Sequence, residues 1–141
     1  MSFSVGISLA VLAVLNSAAL PQGSVSSDIM PQAQTVREYV EEYFADAPIM
    51  IAIAECESQF KQYDKRGDVV KNPNSTAIGI FQIMSSIHRE PAKDMGLDIA
   101  SIEGNLAYAR QLYEEKGTQP WNASKACWMR SDAHLALAAK N

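Results

Sequence analysis

The sequence lacks both a basic stripe and a metal-binding cysteine motif. Its 141 residues carry 12 Lys and Arg against 16 Asp and Glu, a net charge of −4 with the two signs interspersed. A nucleic-acid partner is not expected, because binding to phosphates needs clustered positive charge. The two cysteines form no Cys-x-x-Cys pair, and His88 and His134 stand apart, so neither a zinc site nor any other cofactor is expected.

Internal repeats and low-complexity tracts are also lacking. A chain of this length is large enough for one hydrophobic core but not for two. We therefore expect a single small domain that acts as a monomer.

Long apolar runs are absent apart from one at the N-terminus. Residues 5–15 are apolar except for Gly6 and Ser8, and the segment Asn-Ser-Ala-Ala-Leu-Pro follows them. The run is too short for a membrane span but suits a secretory signal cleaved near Ala19, although no Lys or Arg precedes it. An uncleaved anchor and a buried N-terminal helix are the alternatives.

The export interpretation sets the expected domain boundaries and location. Residues 1–19 are the signal peptide, 20–31 a linker, 32–128 the folded domain and 129–141 a C-terminal tail. The processed protein is then secreted, periplasmic or cell-wall associated, with no stable membrane span. In such an oxidising compartment Cys56 and Cys127 would form one bridge, whereas in a reducing one they would be two unpaired buried thiols.

The stretch 49–60 organises the rest of the chain. Asp46 or Ala47 can cap a helix there and Pro48 suits its first position, which predicts a helix from Pro48 to Glu57. Its first two turns are apolar on every side, as is typical of a buried helix.

Glu57 is the candidate catalytic residue of this helix. It shares a stripe with Met50, Ile53 and Ala54, whereas Glu55 points to the opposite side. A carboxyl group at the end of a buried helix is expected to be partly desolvated, which raises its pKa toward general-acid use. The alternative is an ordinary surface glutamate at a helix end.

Other segments predict further helices around this one. The expected elements are an amphipathic helix over 32–44, a small hairpin or irregular turn around Lys65-Arg66-Gly67, a loop passing into a helix over 77–84 that Pro91 breaks, and a helix from Ser101 to Gly117. The fold class is thus mainly α, with a short β-hairpin after the helix that carries Glu57.

The order of several short motifs resembles that of the lysozyme-like lytic transglycosylases. Those enzymes carry Glu-Ser-x-Phe, then Gly-Leu-Met-Gln, then a helix that begins near an Asn. The matching segments here, within residues 48–128, are Glu57-Ser58-x-Phe60, Gly79-Ile-Phe-Gln82, Asn105 with Tyr108, and Trp121-Asn122. The placing of Cys56 and Cys127 is also similar to the resuscitation-promoting factors, in which a cysteine beside the catalytic glutamate pairs with a late one.

The resemblance implies a lysozyme-like fold and an exported muramidase acting on peptidoglycan glycan strands. The bond cut is the β-1,4 link between N-acetylmuramic acid and N-acetylglucosamine. Glu57 is then the general acid that protonates the leaving oxygen. In a lytic transglycosylase it later acts as base, activating the muramic acid C6 hydroxyl to close a 1,6-anhydro ring without a metal.

The resemblance also implies residues that bind the substrate. They are Ser58, Gly79, Gln82, Tyr108, Tyr113, Trp121 and Asn122. Alternatives are a core amide for Gln82, simple turn residues for Ser58 and Gly79, and core packing for most aromatic residues, Phe81 and Trp128 included. Trp121 is the best candidate to stack on a sugar, since Pro120 and Asn122 predict a loop bordering the cleft.

Two departures from the family pattern keep alternatives open. The family commonly has a tyrosine that bonds the catalytic acid seven residues after its asparagine, and here Leu112 occupies that position between Tyr108 and Tyr113. Asp64 and Asp68 follow the first motif, and a hydrolase of lysozyme type would use a second carboxylate there. A non-catalytic glycan-binding module and a cell-wall accessory protein are further possibilities.

Overall fold

The computed structural model describes residues 34–131, a mainly α domain with one small antiparallel sheet. In chain order its elements are α1 (Val36–Tyr43), α2 (Pro48–Ser58), β1 (Ala77–Ile78), β2 (Ile83–Met84), α3 (Ser85–Asp94), α4 (Ile102–Lys116), a 3-10 helix (Gln119–Ser124) and α5 (Lys125–Trp128). The predicted class, mainly α with a short hairpin after the Glu57 helix, is confirmed. The signal peptide and linker predicted for residues 1–31 and most of the predicted tail lie outside the described residues. Within residues 34–131, no helix combines the length and apolar character needed to cross a membrane.

Helix α2 lies at the centre of the core, as its apolar sequence predicts. Pro48 occupies the first turn, and Ile49, Met50, Ala52, Ile53 and Ala54 are buried. The N-cap is Ala47, which provides no side-chain hydrogen bond, whereas Asp46 instead binds Arg110 at 2.8 Å. The helix ends at Gln59, whose left-handed φ of 56° lets its N–H bond the last carbonyls.

Helix α1 begins later than predicted, at Val36 rather than Gln32. Thr35 and Glu38 form a reciprocal capping box, which fixes the start of the helix. Val40 and Phe44 are fully buried beneath it, as the amphipathic spacing predicts.

Of the two structures predicted around Lys65-Arg66-Gly67, the irregular turn is observed and the hairpin is not. Around Lys65-Arg66-Gly67 only an isolated bridge forms, between Tyr63 and Val69. The two strands lie at 77–78 and 83–84, where a loop passing into a helix was expected. Because three of the four strand residues are buried, the segment shows no alternation of apolar and polar residues that would mark a strand.

Pro91 does not break the segment that contains it. Helix α3 continues through it to Asp94. Proline has no backbone N–H, and an N–H at this position would have bonded the carbonyl of Ile87. Because Pro91 and Ile87 are both exposed, water can hydrate that carbonyl instead. At the other predicted boundaries, Ser101 caps α4 through a 3.0 Å bond from the Gly104 N–H, and Gly117 ends α4 with a φ of 61°.

Two buried amides fix the hairpin loop to α4. Asn105 Oδ1 accepts from the Phe81 N–H at 2.9 Å, and Nδ2 donates to the carbonyls of Ile78 and Ile99. Gln62 Oε1 accepts from the N–H of Ile80 at 3.0 Å. These bonds satisfy backbone groups that the tight loop leaves without strand partners.

Gly79 is required where this network meets the loop. Its φ is 74°, and a Cβ there would lie 2.5 Å from Asn105 Nδ2 and 2.6 Å from Gln62 Oε1. Its positive φ is that of a turn residue, the alternative interpretation, and its predicted role in substrate binding stays a prediction. The groups that approach it are side chains of the protein's own core.

Gly79→Ala is expected to destabilise the domain by about 2–4 kcal/mol in a chemical-denaturation experiment, combining left-handed strain with steric overlap. Gly96→Ala is the matched control, since Gly96 has the same φ of 74° but nothing within 4 Å of the added Cβ. Equal losses in the two variants would contradict a role for the close contacts.

Candidate active site around Glu57

The carboxyl group of Glu57 lies in the last turn of α2, partly buried. Its Oε1 atom accepts a 2.6 Å hydrogen bond from the hydroxyl of Ser124, at the end of the 3-10 helix. Burial raises the pKa of Glu57, and the Ser124 bond opposes this rise because it favours the ionised form. The predicted desolvation of this carboxyl group is confirmed.

Other carboxyl groups have different settings. Glu55, on the same helix, is exposed and forms a 3.1 Å ion pair with Arg37. Hydrogen bonds lower the pKa of Glu38, Asp46 and Asp64. Among the described carboxyl groups whose pKa departs from the ordinary value, only that of Glu57 is raised.

The raised pKa of Glu57 predicts that Glu57→Gln stabilises the protein at neutral pH. Ionising Glu57 costs more in the folded than in the unfolded chain, so its contribution to stability falls as pH rises from the unfolded pKa through the folded one. The advantage of the variant should vanish in acid, where Glu57 is protonated in both states. Thermal unfolding across a pH series measures this difference.

Glu55→Gln is the control for this pH series, because its exposed carboxylate is hydrated and its surface ion pair contributes little. A Glu57→Gln variant that is less stable than the parent at pH 7 would contradict the assigned desolvation.

Ser58 turns the chain after the helix. Its Oγ contacts the carbonyl of Ala54 at 3.4 Å and accepts from the N–H of Lys61 at 3.1 Å. Gln59 and Phe60 then adopt left-handed φ values of 56° and 61°, an uncommon pair for non-glycine residues. The described bonds of Ser58 are those of a turn serine, the second of its two interpretations.

The hydroxyl that bonds Glu57 belongs to a residue that the motifs did not indicate. Tyr108 is buried and its hydroxyl lies 3.0 Å from His88 Nδ1, while Tyr113 packs partly buried against the core. Ser124 makes the hydrogen bond to Glu57 that the family resemblance assigns to a tyrosine. Only its position three residues before Cys127 could have suggested it, since a Cys56–Cys127 bridge brings that segment to α2.

Gln82 lines a cavity of about 320 Å³ between β2, α3, α4 and the 3-10 helix. Its neighbours there include His88, Lys116 and Trp121. Gln82 Nε2 donates to the Gly79 carbonyl at 2.8 Å within the hairpin loop, which holds the side chain in place. The backbone bond is the one that the alternative interpretation, a core amide, expects, while the cavity leaves the amide on a concave surface. Binding of sugar by Gln82 stays a prediction.

Trp121 differs from its prediction. It lies in the 3-10 helix and is only 3% exposed, because its ring packs against Phe81 and its Nε1 donates to the Phe81 carbonyl at 2.9 Å. The residue lines the Gln82 cavity, but with so little exposure its ring presents no open face for stacking. Phe81 and Trp128 are core residues, and Asn122 is exposed.

The two aspartates of the 58–76 segment belong to a turn. Asp64 Oδ1 accepts from the N–H groups of Arg66 and Asp68 at 2.8 and 3.0 Å. The side chain of Asp68 is 72% exposed and lies 3.7 Å from the Arg66 guanidinium. Both line a cavity of about 700 Å³ that also contains Lys71 and Arg89.

The predicted disulfide is present. Cys56 and Cys127 are bridged with their Cα atoms 6.0 Å apart, closing a separation of 71 residues. The bridge joins α2 to α5 beside the Glu57–Ser124 contact. Cys56 is adjacent to Glu57 in the sequence, and Cys127 is three residues from Ser124. The bridge therefore connects the two elements that form the site.

Comparison with protein-family models, curated proteins and solved structures found no match to this chain.

Proposed function

We propose that the protein is an exported muramidase of the lytic transglycosylase type, which cuts the β-1,4 bond between N-acetylmuramic acid and N-acetylglucosamine in peptidoglycan. The observation that carries this proposal is the setting of Glu57, a partly buried carboxyl group at a helix end with a raised pKa. The motif order beginning at Glu57-Ser58-x-Phe60, which resembles these enzymes, supports it.

In the proposed reaction Glu57 gives one proton and then takes up another. The protonated carboxyl group first donates to the glycosidic oxygen as the bond to the muramic acid C1 breaks. The resulting carboxylate then takes the proton of the C6 hydroxyl, whose oxygen bonds C1 and closes the 1,6-anhydro ring. A raised pKa favours the first step, and a rigid helix end aims the carboxyl group for both.

The cavity beside Gln82 supports a sugar-binding role for this side of the domain. Its volume of about 320 Å³ suits a single sugar residue or an acetamido group, and Gln82 is one of several polar groups on a wall that mixes polar and apolar residues. Trp121 connects this cavity to Glu57, because the residue lines the cavity and its carbonyl lies 3.1 Å from Ser124 Oγ. Trp121 is thus proposed as a wall residue.

The settings of Asp64 and Asp68 in the turn after α2 favour a reaction with one catalytic carboxylate over hydrolysis, which would need a second. Asp64 is engaged by two backbone N–H groups, and Asp68 is strongly exposed beside Arg66. Although both line the cavity of about 700 Å³, each carboxylate is paired with Arg66, which leaves neither free to act as a nucleophile or general base. The disulfide supports an extracytoplasmic location, since such bridges persist mainly in oxidising compartments.

Digestion of purified cell-wall sacculi tests the proposal directly. Mass spectrometry of the released fragments should find 1,6-anhydro-muramic acid termini. Reducing termini would instead indicate hydrolysis, and Asp68→Asn would then be the next variant to assay. Binding of sacculi without any cleavage would leave a glycan-binding module and overturn the enzymatic proposal.

A further inference from the structure

We propose that Ser124 is a positioning residue for Glu57, whose single hydroxyl hydrogen turns between the carboxylate and the Trp121 carbonyl so that the acid stays aimed in both of its protonation states. The inference rests on the proposed function only in that it requires Glu57 to change protonation state during the reaction.

The distances around the serine oxygen carry this inference. Ser124 Oγ lies 2.6 Å from Glu57 Oε1 and 3.1 Å from the carbonyl oxygen of Trp121. A serine hydroxyl has one hydrogen to donate and lone pairs that accept, whereas a carbonyl oxygen only accepts. One hydrogen can point directly along only one of the two contacts, and the shorter distance of 2.6 Å favours Glu57 Oε1 while Glu57 is ionised.

The protonation state of Glu57 decides between two arrangements. When Glu57 is ionised, Ser124 donates to the carboxylate. When Glu57 is protonated on Oε1 in the free protein, that hydroxyl donates to Ser124 Oγ, and the serine hydrogen turns to the Trp121 carbonyl. For transfer to a glycosidic oxygen the proton lies instead on the second carboxyl oxygen, Oε2, and Ser124 again donates to Oε1. Each arrangement uses the same heavy-atom positions, so the carboxyl group need not move between the acid and base steps.

The turning hydrogen leaves no buried group unpaired. The Trp121 carbonyl also accepts from Trp128 Nε1 at 3.0 Å, so it remains bonded when Ser124 turns toward Glu57. The indole of Trp121 is fixed to the Phe81 carbonyl, and the disulfide at Cys127 ties the following helix to α2. The residues before and after Ser124 are thus both fixed in place, by the Trp121 indole bond and by the disulfide.

Charged groups on the neighbouring elements are engaged elsewhere or exposed. Packed against α2 are α1, α5 and the 3-10 helix, and the last has no ionisable side chain. The charged side chains of α1 form their own pairs: Arg37 with Glu41 and Glu55, Glu38 with Thr35, and Glu42 with Gln34. The two tyrosines of α1, Tyr39 and Tyr43, pack edge to face. On α5, Lys125 is exposed. Within residues 34–131, the side-chain hydrogen bond to the Glu57 carboxyl group comes from Ser124.

Carbon-13 NMR titration of the full chain tests the inference without a substrate. In the parent, the Trp121 carbonyl resonance should titrate together with the side-chain carboxyl of Glu57. In Ser124→Ala, the Trp121 response should be lost and the pKa of Glu57 should rise, because the ionised form loses its donor. Ser124→Thr, which keeps a hydroxyl, should restore both.

Ser131→Ala is the matched control, since Ser131 Oγ makes the same bond to the carbonyl three residues back, that of Trp128, at 2.8 Å. It should leave the titration of Glu57 unchanged. On sacculi, Ser124→Ala should lower turnover by about tenfold or more and move the pH profile upward, whereas Ser124→Thr should stay near the parent.

The outcomes separate this inference from the proposed function. A Trp121 carbonyl that does not follow Glu57, or a Ser124→Ala variant that is folded by circular dichroism and keeps the parent titration, would overturn the inference even if the protein cleaves sacculi. A parent that titrates as expected but never cleaves sacculi would overturn the proposed function and leave the Glu57–Ser124 coupling supported.

Discussion

Glu57→Gln is expected to lower the rate of sacculus cleavage by about 10²- to 10⁴-fold, the usual contribution of a general acid. The amide has nearly the same size as the carboxyl group, but it has no acidic proton to give to the glycosidic oxygen and cannot take one from the C6 hydroxyl. Release of soluble muropeptides per unit time, followed by chromatography, measures the loss.

The same helix provides the control for this activity assay. Glu55→Gln removes an exposed carboxylate on the other side of α2 and should retain activity close to that of the parent. Glu57→Gln should remain folded and should gain stability at pH 7, so a loss of activity through unfolding is distinguishable. A Glu57→Gln protein that cleaves as fast as the parent would exclude Glu57 as the proton donor.

Removing the disulfide with Cys56→Ala and Cys127→Ala together is expected to lower the free energy of unfolding by about 4 kcal/mol. In the chain-entropy model, a bridge spanning 71 residues restricts the unfolded chain by that amount. This is a large part of the total stability of a domain of this size. Urea denaturation of the variant and the parent gives the difference.

The redox state of the parent provides the control for the disulfide. A reducing agent should lower the denaturation midpoint of the parent to that of the double variant and leave the double variant itself unchanged. Because the bridge joins α2 to α5 beside the Glu57–Ser124 bond, the double variant should also lose activity at temperatures where it is still folded. A stability difference below about 1 kcal/mol would show that other contacts hold α5 in place.

Local sequence patterns determined α1, α2, α4 and the candidate acid, but not α3, which continues through Pro91. The apolar run after Pro48 predicts a buried helix wherever it packs, because every side of its first two turns must avoid water. The position of Glu57 at the end of that run likewise predicts desolvation, and the structure confirms it. The serine before α4 and the glycine after it mark the ends of that helix, because capping depends on neighbouring backbone groups alone.

The strands and the polar network depended on contacts between distant residues. Each strand is two residues long and mostly buried, so no alternation was present in the sequence. Gln62 and Asn105 serve backbone groups of the hairpin loop from positions up to 24 residues away. A buried amide cannot be distinguished from an exposed one by its neighbours in the sequence.

The partner of Glu57 was decided by tertiary structure in the same way. The sequence alone determined that a carboxyl group would end a buried helix and that two cysteines were available to bridge. The fold decided that Ser124, 67 residues away, supplies the hydroxyl and that Trp121 is buried as a wall instead of exposed in a loop. Periodicity and capping act over one or two turns of chain, whereas these contacts exist only once the disulfide and the core have brought the 3-10 helix against α2.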